Sequence, residues 1–189
     1  MKDKKINIFK TLLYAIYIFS IVFFIFKSEY GKSGLSLLCL VIIFILSKVY
    51  SKNLTILDRN LFIASNLFIL FSFLLGSCYN LYDKIKYYDD FLHFISGFIS
   101  VKIGWNMLSV VKNTDVNNNK LLIFIIILFF SMGISSICEI SEYALDVLFK
   151  MDTQSGGLKD TMHDIIDALA GSCIMILYYT KSKFQNTIK

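Results

Sequence analysis

Charge is scarce in this chain. Only 17% of its 189 residues are Asp, Glu, Lys or Arg, against 56% hydrophobic residues and a mean hydropathy of +0.64. A soluble domain of this length cannot bury so much apolar surface, so the excess must face lipid. The few charges are clustered, as in spans separated by loops. No basic face with interleaved aromatics is present, which argues against nucleic-acid binding. The cysteines Cys39, Cys78, Cys138 and Cys173 each sit in an apolar run, and none stands in CxxC or CxxH spacing. A disulfide framework or a thiolate metal site is therefore not expected, and they read as small lipid- or core-facing residues. Proline is absent altogether, and the bias towards Ile, Phe, Leu, Lys and Asn points to no function. There is no soluble domain and no repeat of fixed period.

What is present is a series of apolar runs. A spanning helix needs about 20 mostly apolar residues, and six candidates are found: Ile6–Phe26, Gly34–Val49, Leu61–Tyr82, Asp89–Val111, Leu121–Phe149 and Thr161–Tyr179. No small-residue cleavage site follows the first, so it reads as an anchor, not a removed signal peptide. The fifth exceeds what a bilayer requires and should tilt or project. The expected fold is an all-α, polytopic membrane bundle of about six transmembrane helices forming a single domain over 1–189, with three scaffold spans in 1–82 and three motif-bearing spans in 83–180.

Lysine and arginine counts orient these spans. The N-terminus, the second-to-third and fourth-to-fifth loops and the C-terminal tail carry twelve, among them Lys2, Lys112, Lys183 and Lys189, and the opposite side carries six. Lys102 lies within span four, where it either pairs inside the bundle or snorkels. Both termini are thus expected in the cytoplasm of a cell with a plasma-membrane location. Acidic residues show the reverse bias. Ten of the fourteen lie at Asp83, Asp89, Asp90, Glu139, Glu142, Asp146, Asp152, Asp160, Asp164 and Asp167. All ten fall on the outer side or in the outer halves of the last three spans.

Their spacing is helical. Asp89 and His93 are four apart and share a face, which Gly97, Ser100 and Gly104 roughly continue. Ser135, Glu139, Glu142 and Asp146 stand at i, i+4, i+7 and i+11, one polar stripe on an apolar helix. After Gly156 and Gly157, Asp160, Asp164, Asp167 and Gly171 repeat that spacing. Asp160 is also suited to cap its helix. His163 is rotated from this stripe by about 100°. Asp90 and Asp146 read as solvated helix-end charges, and Tyr88 and Tyr143 as interfacial aromatics or hydrogen-bond partners of the acids.

A carboxylate within a membrane costs roughly 2.5–3.5 kcal/mol on insertion scales. Lipid-facing placement is excluded on that ground, and the three stripes should face one another. Six like charges converging in low dielectric must be protonated or neutralised. A divalent metal is the simplest neutraliser, and oxygen ligands with one imidazole suit Zn, Mn, Fe or Mg without choosing among them. The pair of Glu-x-x-His motifs that marks ferritin-like di-iron bundles is missing. The expected ligands are Asp89, His93, Glu139, Asp164 and Asp167, with Glu142 or Asp160 as general base. A hydrogen-bonded polar core without metal is the structural alternative.

Tyr88-Asp89, His93-Phe94 and Gly97, then Glu139-x-x-Glu142, then Asp160-Thr161-x-x-Asp164 with Gly171 resemble the YjdF-like family of bacterial inner-membrane proteins. More distantly the segments are similar to the VanZ-like family, associated with glycopeptide (teicoplanin) resistance. The VanZ-like pattern has Gln where Glu142 stands, an Arg before the last aspartates and a late Asn, none of which is present. The resemblance covers roughly residues 80–175. It implies that Asp89, His93, Glu139, Glu142, Asp160 and Asp164 are family-type polar residues, and it supplies no reaction. Three functions remain open: a metal-dependent enzyme acting on a lipid or lipid-linked envelope substrate, an ion-coupled transporter or carrier, and a structural or regulatory envelope protein.

Overall fold

The computed structural model of the chain describes residues 2–110, 119–150, 153–154 and 157–185. Lys112, Asp152, Gly156 and Lys189, which enter the sequence arguments above, lie outside the described residues, and only the backbone of Lys2 and Lys183 is described. Every regular element among the described residues is helical, and six helical stretches are long and apolar enough to cross a membrane. The expected all-helical, polytopic fold is therefore found. The chain divides into two compact units, residues 1–88 and 89–189.

The first unit opens with α1 (Lys2–Phe26) and α2 (Tyr30–Ser51), joined by a tight turn in which Ser28 takes a left-handed conformation (φ 59°). The turn satisfies the end of α1, since the Ser28 and Glu29 amides donate to the carbonyls of Ile25 and Phe24, both at 2.9 Å. The face α2 buries is narrow and small: Ser33, Ser36, Cys39, Ile43 and Ser47. Small residues let neighbouring helices approach, and hydroxyls bridge the gap. Tyr14 donates to Ser47 Oγ at 2.9 Å, and Ser33 donates to the Ile21 carbonyl at 3.3 Å.

Next, α3 (Arg59–Ile69) is capped by Asp58, which accepts from the Leu61 amide at 2.9 Å. Its continuation, Leu70–Cys78, winds as a π-helix. The third span was expected to run to Tyr82, but it stops at Cys78. Asn80 adopts the left-handed conformation (φ 59°), which no helix continues through, and Leu81–Lys84 forms a separate short α4. The unit's hydrophobic core is Tyr17, Phe24, Cys39, Ile43, Leu74 and Cys78. Cys39 and Cys78 are core residues, whereas Cys138 is exposed.

The second unit holds α5 (Tyr88–Val110), α6 (Lys120–Phe149) and α7 (Leu158–Gln185). Asn119 caps α6, accepting from the Leu122 amide at 3.1 Å. At 30 residues α6 is about 45 Å long, well beyond the hydrocarbon thickness of about 30 Å. Backbone contact between α5 and α7 depends on glycine. A methyl group on Gly97 would overlap the Ala168 carbonyl, and one on Gly171 would overlap the Phe94 carbonyl.

The buried residues of these helices fall in matching layers at four-residue steps. Along α6 they read Ile123, Ile127, Ser131, Ser135, Glu139. Along α7, in the opposite direction, they read Ile176, Ser172, Ala168, Asp164. Val101, Ile123, Ile127 and Ile176 make an apolar plug. In the next layer the Ser131 and Ser172 hydroxyls meet at 2.6 Å. Beyond them come the acids. Lys102, on α5, places its ammonium 5.6 Å from the ring centre of Tyr179, against which Trp105 stacks and Tyr178 packs edge-on.

Candidate metal centre

His93 stands where α5, α6 and α7 present their acids. It lies one turn into α5, four residues after Asp89, so both face inward. Its Nε2 is 3.5 Å from Asp89 Oδ1, 3.9 Å from Asp164 Oδ1 and 4.0 Å from Glu142 Oε1. Its other nitrogen, Nδ1, is 3.7 Å from Glu139 Oε1. Three helices thus contribute one imidazole and four carboxylates.

Burial separates these groups. Asp164 is 1% exposed and Glu139 5% exposed, whereas Asp89 and Glu142 are partly open. All four carboxylate oxygens of Asp164 and Glu139 are covered and accept no hydrogen bond, as is Asp160 Oδ2. The Thr161 hydroxyl stands beside Glu139 but outside hydrogen-bond geometry. It accepts from Gln154 Nε2 at 2.7 Å. Buried carboxylates are normally paired or hydrogen-bonded, because desolvating an unmatched charge costs several kcal/mol. Oxygens in this condition are short of a cation or a proton.

The donor set fits a divalent ion. Asp89, His93 and Asp164 can each offer an atom within 4.8 Å of the others, and so can His93, Glu139 and Glu142. Bonds of 2.0–2.2 Å in a tetrahedral site separate ligand atoms by about 3.4 Å. The spacing around Nε2 is only slightly wider, too long for hydrogen bonds and close to the edge of a coordination shell.

Not every expected residue joins the group. Asp167 is outside both candidate sets. It is three residues after Asp164, a step that rotates it about 60° off the buried face, and its electrostatic neighbours are Asp90 and His163. His163 is exposed. Asp160 interacts electrostatically with Asp89, Glu139, Glu142 and Asp164 without entering either set. Glu142, expected as a base, stands as close to Nε2 as the expected ligand Asp164. Asp146, read as a solvated charge, is engaged in the α6–α7 connection: Oδ1 accepts from the Thr153 amide at 2.7 Å and hydroxyl at 2.6 Å, and Oδ2 from the Gln154 amide at 2.9 Å. Sequence reasoning passed over Thr153 and Gln154 and gave Thr161 no role beyond its place in the Asp160-Thr161-x-x-Asp164 motif, and these three residues tie that connection to the site. The one available signal was the density of polar residues between two long apolar helices.

Searches among curated proteins and among solved structures return no match. A family model does match, over residues 9–183 and so nearly the whole chain. With six membrane-length helices and one acid-ringed histidine already in place, that match makes the chain a member of the family described as predicted membrane protein (DUF2238).

Proposed function

We propose that the second unit is a divalent-metal site serving a hydrolytic enzyme that acts on a lipid or lipid-linked envelope substrate. The observation that carries this is the set of four covered carboxylate oxygens on Asp164 and Glu139, without donors, of which one from each residue lies within 4.0 Å of the same imidazole. A bound divalent ion would supply Lewis acidity and a water acidic enough to ionise near neutral pH. The chain's own groups divide the remaining work. His93 and the carboxylates around it hold the ion. Asp160, electrostatically coupled to that set yet outside it, is placed to accept a proton as general base. Asp89 and Glu142, both partly open, lie where a headgroup would enter. The excess of lysine and arginine on the opposite loops supports an outer-face location with cytoplasmic termini. The YjdF-like resemblance of residues 80–175 is consistent with the family match, and the VanZ-like one supports an envelope role.

Metal analysis of the protein purified under metal-replete conditions tests the reading. About one divalent ion per chain is expected, falling to background in Asp164→Ala. An ion-free native protein, together with an intact envelope phenotype in His93→Ala and Glu139→Ala cells, would sink it.

One observation favours an ion-coupled carrier. Ser135, Ser131 and Ser172 continue the polar face inward from Glu139. The plug of Val101, Ile123, Ile127 and Ile176 closes that path beyond them. Flux in proteoliposomes, with and without a protonophore, separates the two readings. A purely structural cluster would instead show alanine variants that lower the melting temperature (Tm) without any phenotype of their own.

A further inference from the structure

The two ring nitrogens of His93 face different partners. An imidazole offers one lone pair to one ion, and the nitrogen that does not bind keeps its proton and donates it. Nε2 has Asp89, Asp164 and Glu142 within 4.0 Å. Nδ1 has Glu139 at 3.7 Å. The directions in which these nitrogens point diverge, so one ion cannot use Nε2 and remain in line with Nδ1. Glu139 is also the more buried of the two α6 acids, at 5% against 26% exposed for the Glu142 side chain, and neither of its oxygens accepts a hydrogen bond.

We infer that Glu139 is a positioning residue, which accepts the Nδ1 proton of His93, and that an ion at Nε2 held by Asp89 and Asp164 draws in Glu142, which stands 4.0 Å from Nε2 but outside the group that those two acids form with His93. The inference rests on the metal reading above and sharpens it: the two α6 glutamates, three residues apart, have different tasks. Glu139 fixes the tautomer and the ring plane and raises the basicity of Nε2. Carboxylates in this position behind a ligating histidine typically contribute 10–100-fold to metal affinity. The depth of Glu139 follows from its task, because an acceptor screened by water would hold the ring weakly. The half-open position of Glu142 follows as well, because a ligand at the mouth must leave room for substrate.

The test uses the full chain in nanodiscs with Co²⁺ and ¹¹³Cd²⁺ as probes. Co²⁺ titration should give one site per chain. Glu139→Gln, which keeps an acceptor of the same shape, should weaken Co²⁺ binding about tenfold, and Glu139→Ala about 100-fold. At saturation both should retain the native Co²⁺ absorption spectrum, because the ligands are unchanged. Glu142→Gln should alter that spectrum. The native chain with ¹⁵N-labelled histidine and ¹¹³Cd²⁺ gives a readout that needs no variant at this site. Cadmium coupling is expected at Nε2 of His93 and a retained proton at Nδ1, with the exposed His163 assigned from His163→Gln. Coupling at Nδ1, two ions per chain, or a spectrum altered alike by Glu139→Gln and Glu142→Gln overturns the assignment while leaving a metal site standing. Failure of the native chain to bind either ion removes the metal reading itself and this inference with it.

Discussion

In the first unit the one covered carboxylate oxygen, Glu29 Oε2, is paired with Lys32 Nζ at 2.8 Å, and the covered groups left without a partner are neutral: Tyr17, Asn66 and Ser72 each have such an oxygen, and Asn66 Nδ2 donates to the Phe62 carbonyl at 2.7 Å. In the second unit the same kind of layer includes two carboxylates, Glu139 and Asp164. The difference is one of cost. An unmatched neutral group costs about 1–3 kcal/mol, which a membrane fold tolerates. An unmatched carboxylate costs several kcal/mol. The glycines that meet backbone lie in the second unit, although its Gly133 is as open as Gly34, and Gly76 of the first unit meets the Tyr82 ring. Methyl groups on Gly31 and Gly34 of the first unit would meet nothing within 4 Å, while those on Gly97 and Gly171 would strike backbone. Close helix contact in the second unit holds His93 against the acids of α7.

Removing a carboxylate at the site should break this contrast most strongly. At a concentration 100 times the dissociation constant, a divalent ion should stabilise the native chain by about 2.7 kcal/mol. Asp164→Asn should lose that gain entirely and, with one buried charge fewer, melt higher than the native chain when both are stripped by chelator. Thermal unfolding in detergent with and without Zn²⁺ measures both. A metal-dependent rise in Tm that persists in Asp164→Asn would dissolve the distinction between the units.

The packing difference is the next test. Gly171→Ala must displace the Phe94 carbonyl, and overpacking of this kind costs about 1–3 kcal/mol. Gly34→Ala, in open space on a helix, should be neutral or stabilise by up to about 1 kcal/mol. Their unfolding midpoints should move in opposite directions or, at the least, differ clearly.

Smaller effects sharpen the picture. Ser131→Ala and Ser172→Ala should each cost about 1 kcal/mol, and the double variant less than their sum, since they share one 2.6 Å hydrogen bond. Tyr17→Phe removes a buried hydroxyl that has no partner, so it should change stability by less than about 0.5 kcal/mol or raise it, and leave the metal-dependent gain intact. A large loss from Tyr17→Phe would mean that the first unit has a polar site of its own.

Much of this was legible in the chain. The spans could be read because 20 apolar residues have few alternatives to crossing a bilayer: four of the six helices enclose the expected runs, and α5 covers its run up to Val110, with Val111 outside the described residues. The third differed because the left-handed Asn80 interrupts an apolar run that hydropathy alone reads through. The acids could be read as inward-facing because lipid will not hold them. Their i, i+4, i+7, i+11 spacing overstated how many converge. The buried stripe advances in steps of four, through Ser131, Ser135 and Glu139 on α6 and Asp164, Ala168 and Ser172 on α7. A three-residue step leaves that line, which put Asp167 beside Asp90 instead of beside His93.

Composition and periodicity thus settled the membrane class, the helical spans and the side chains too costly to face lipid, since transfer energies depend on residue type and helix faces on spacing. Which acid meets which nitrogen of His93 is a matter of ångströms between helices. Those distances are set by where Gly97 and Gly171 let backbones touch, a contact between residues more than 70 positions apart that no local pattern encodes.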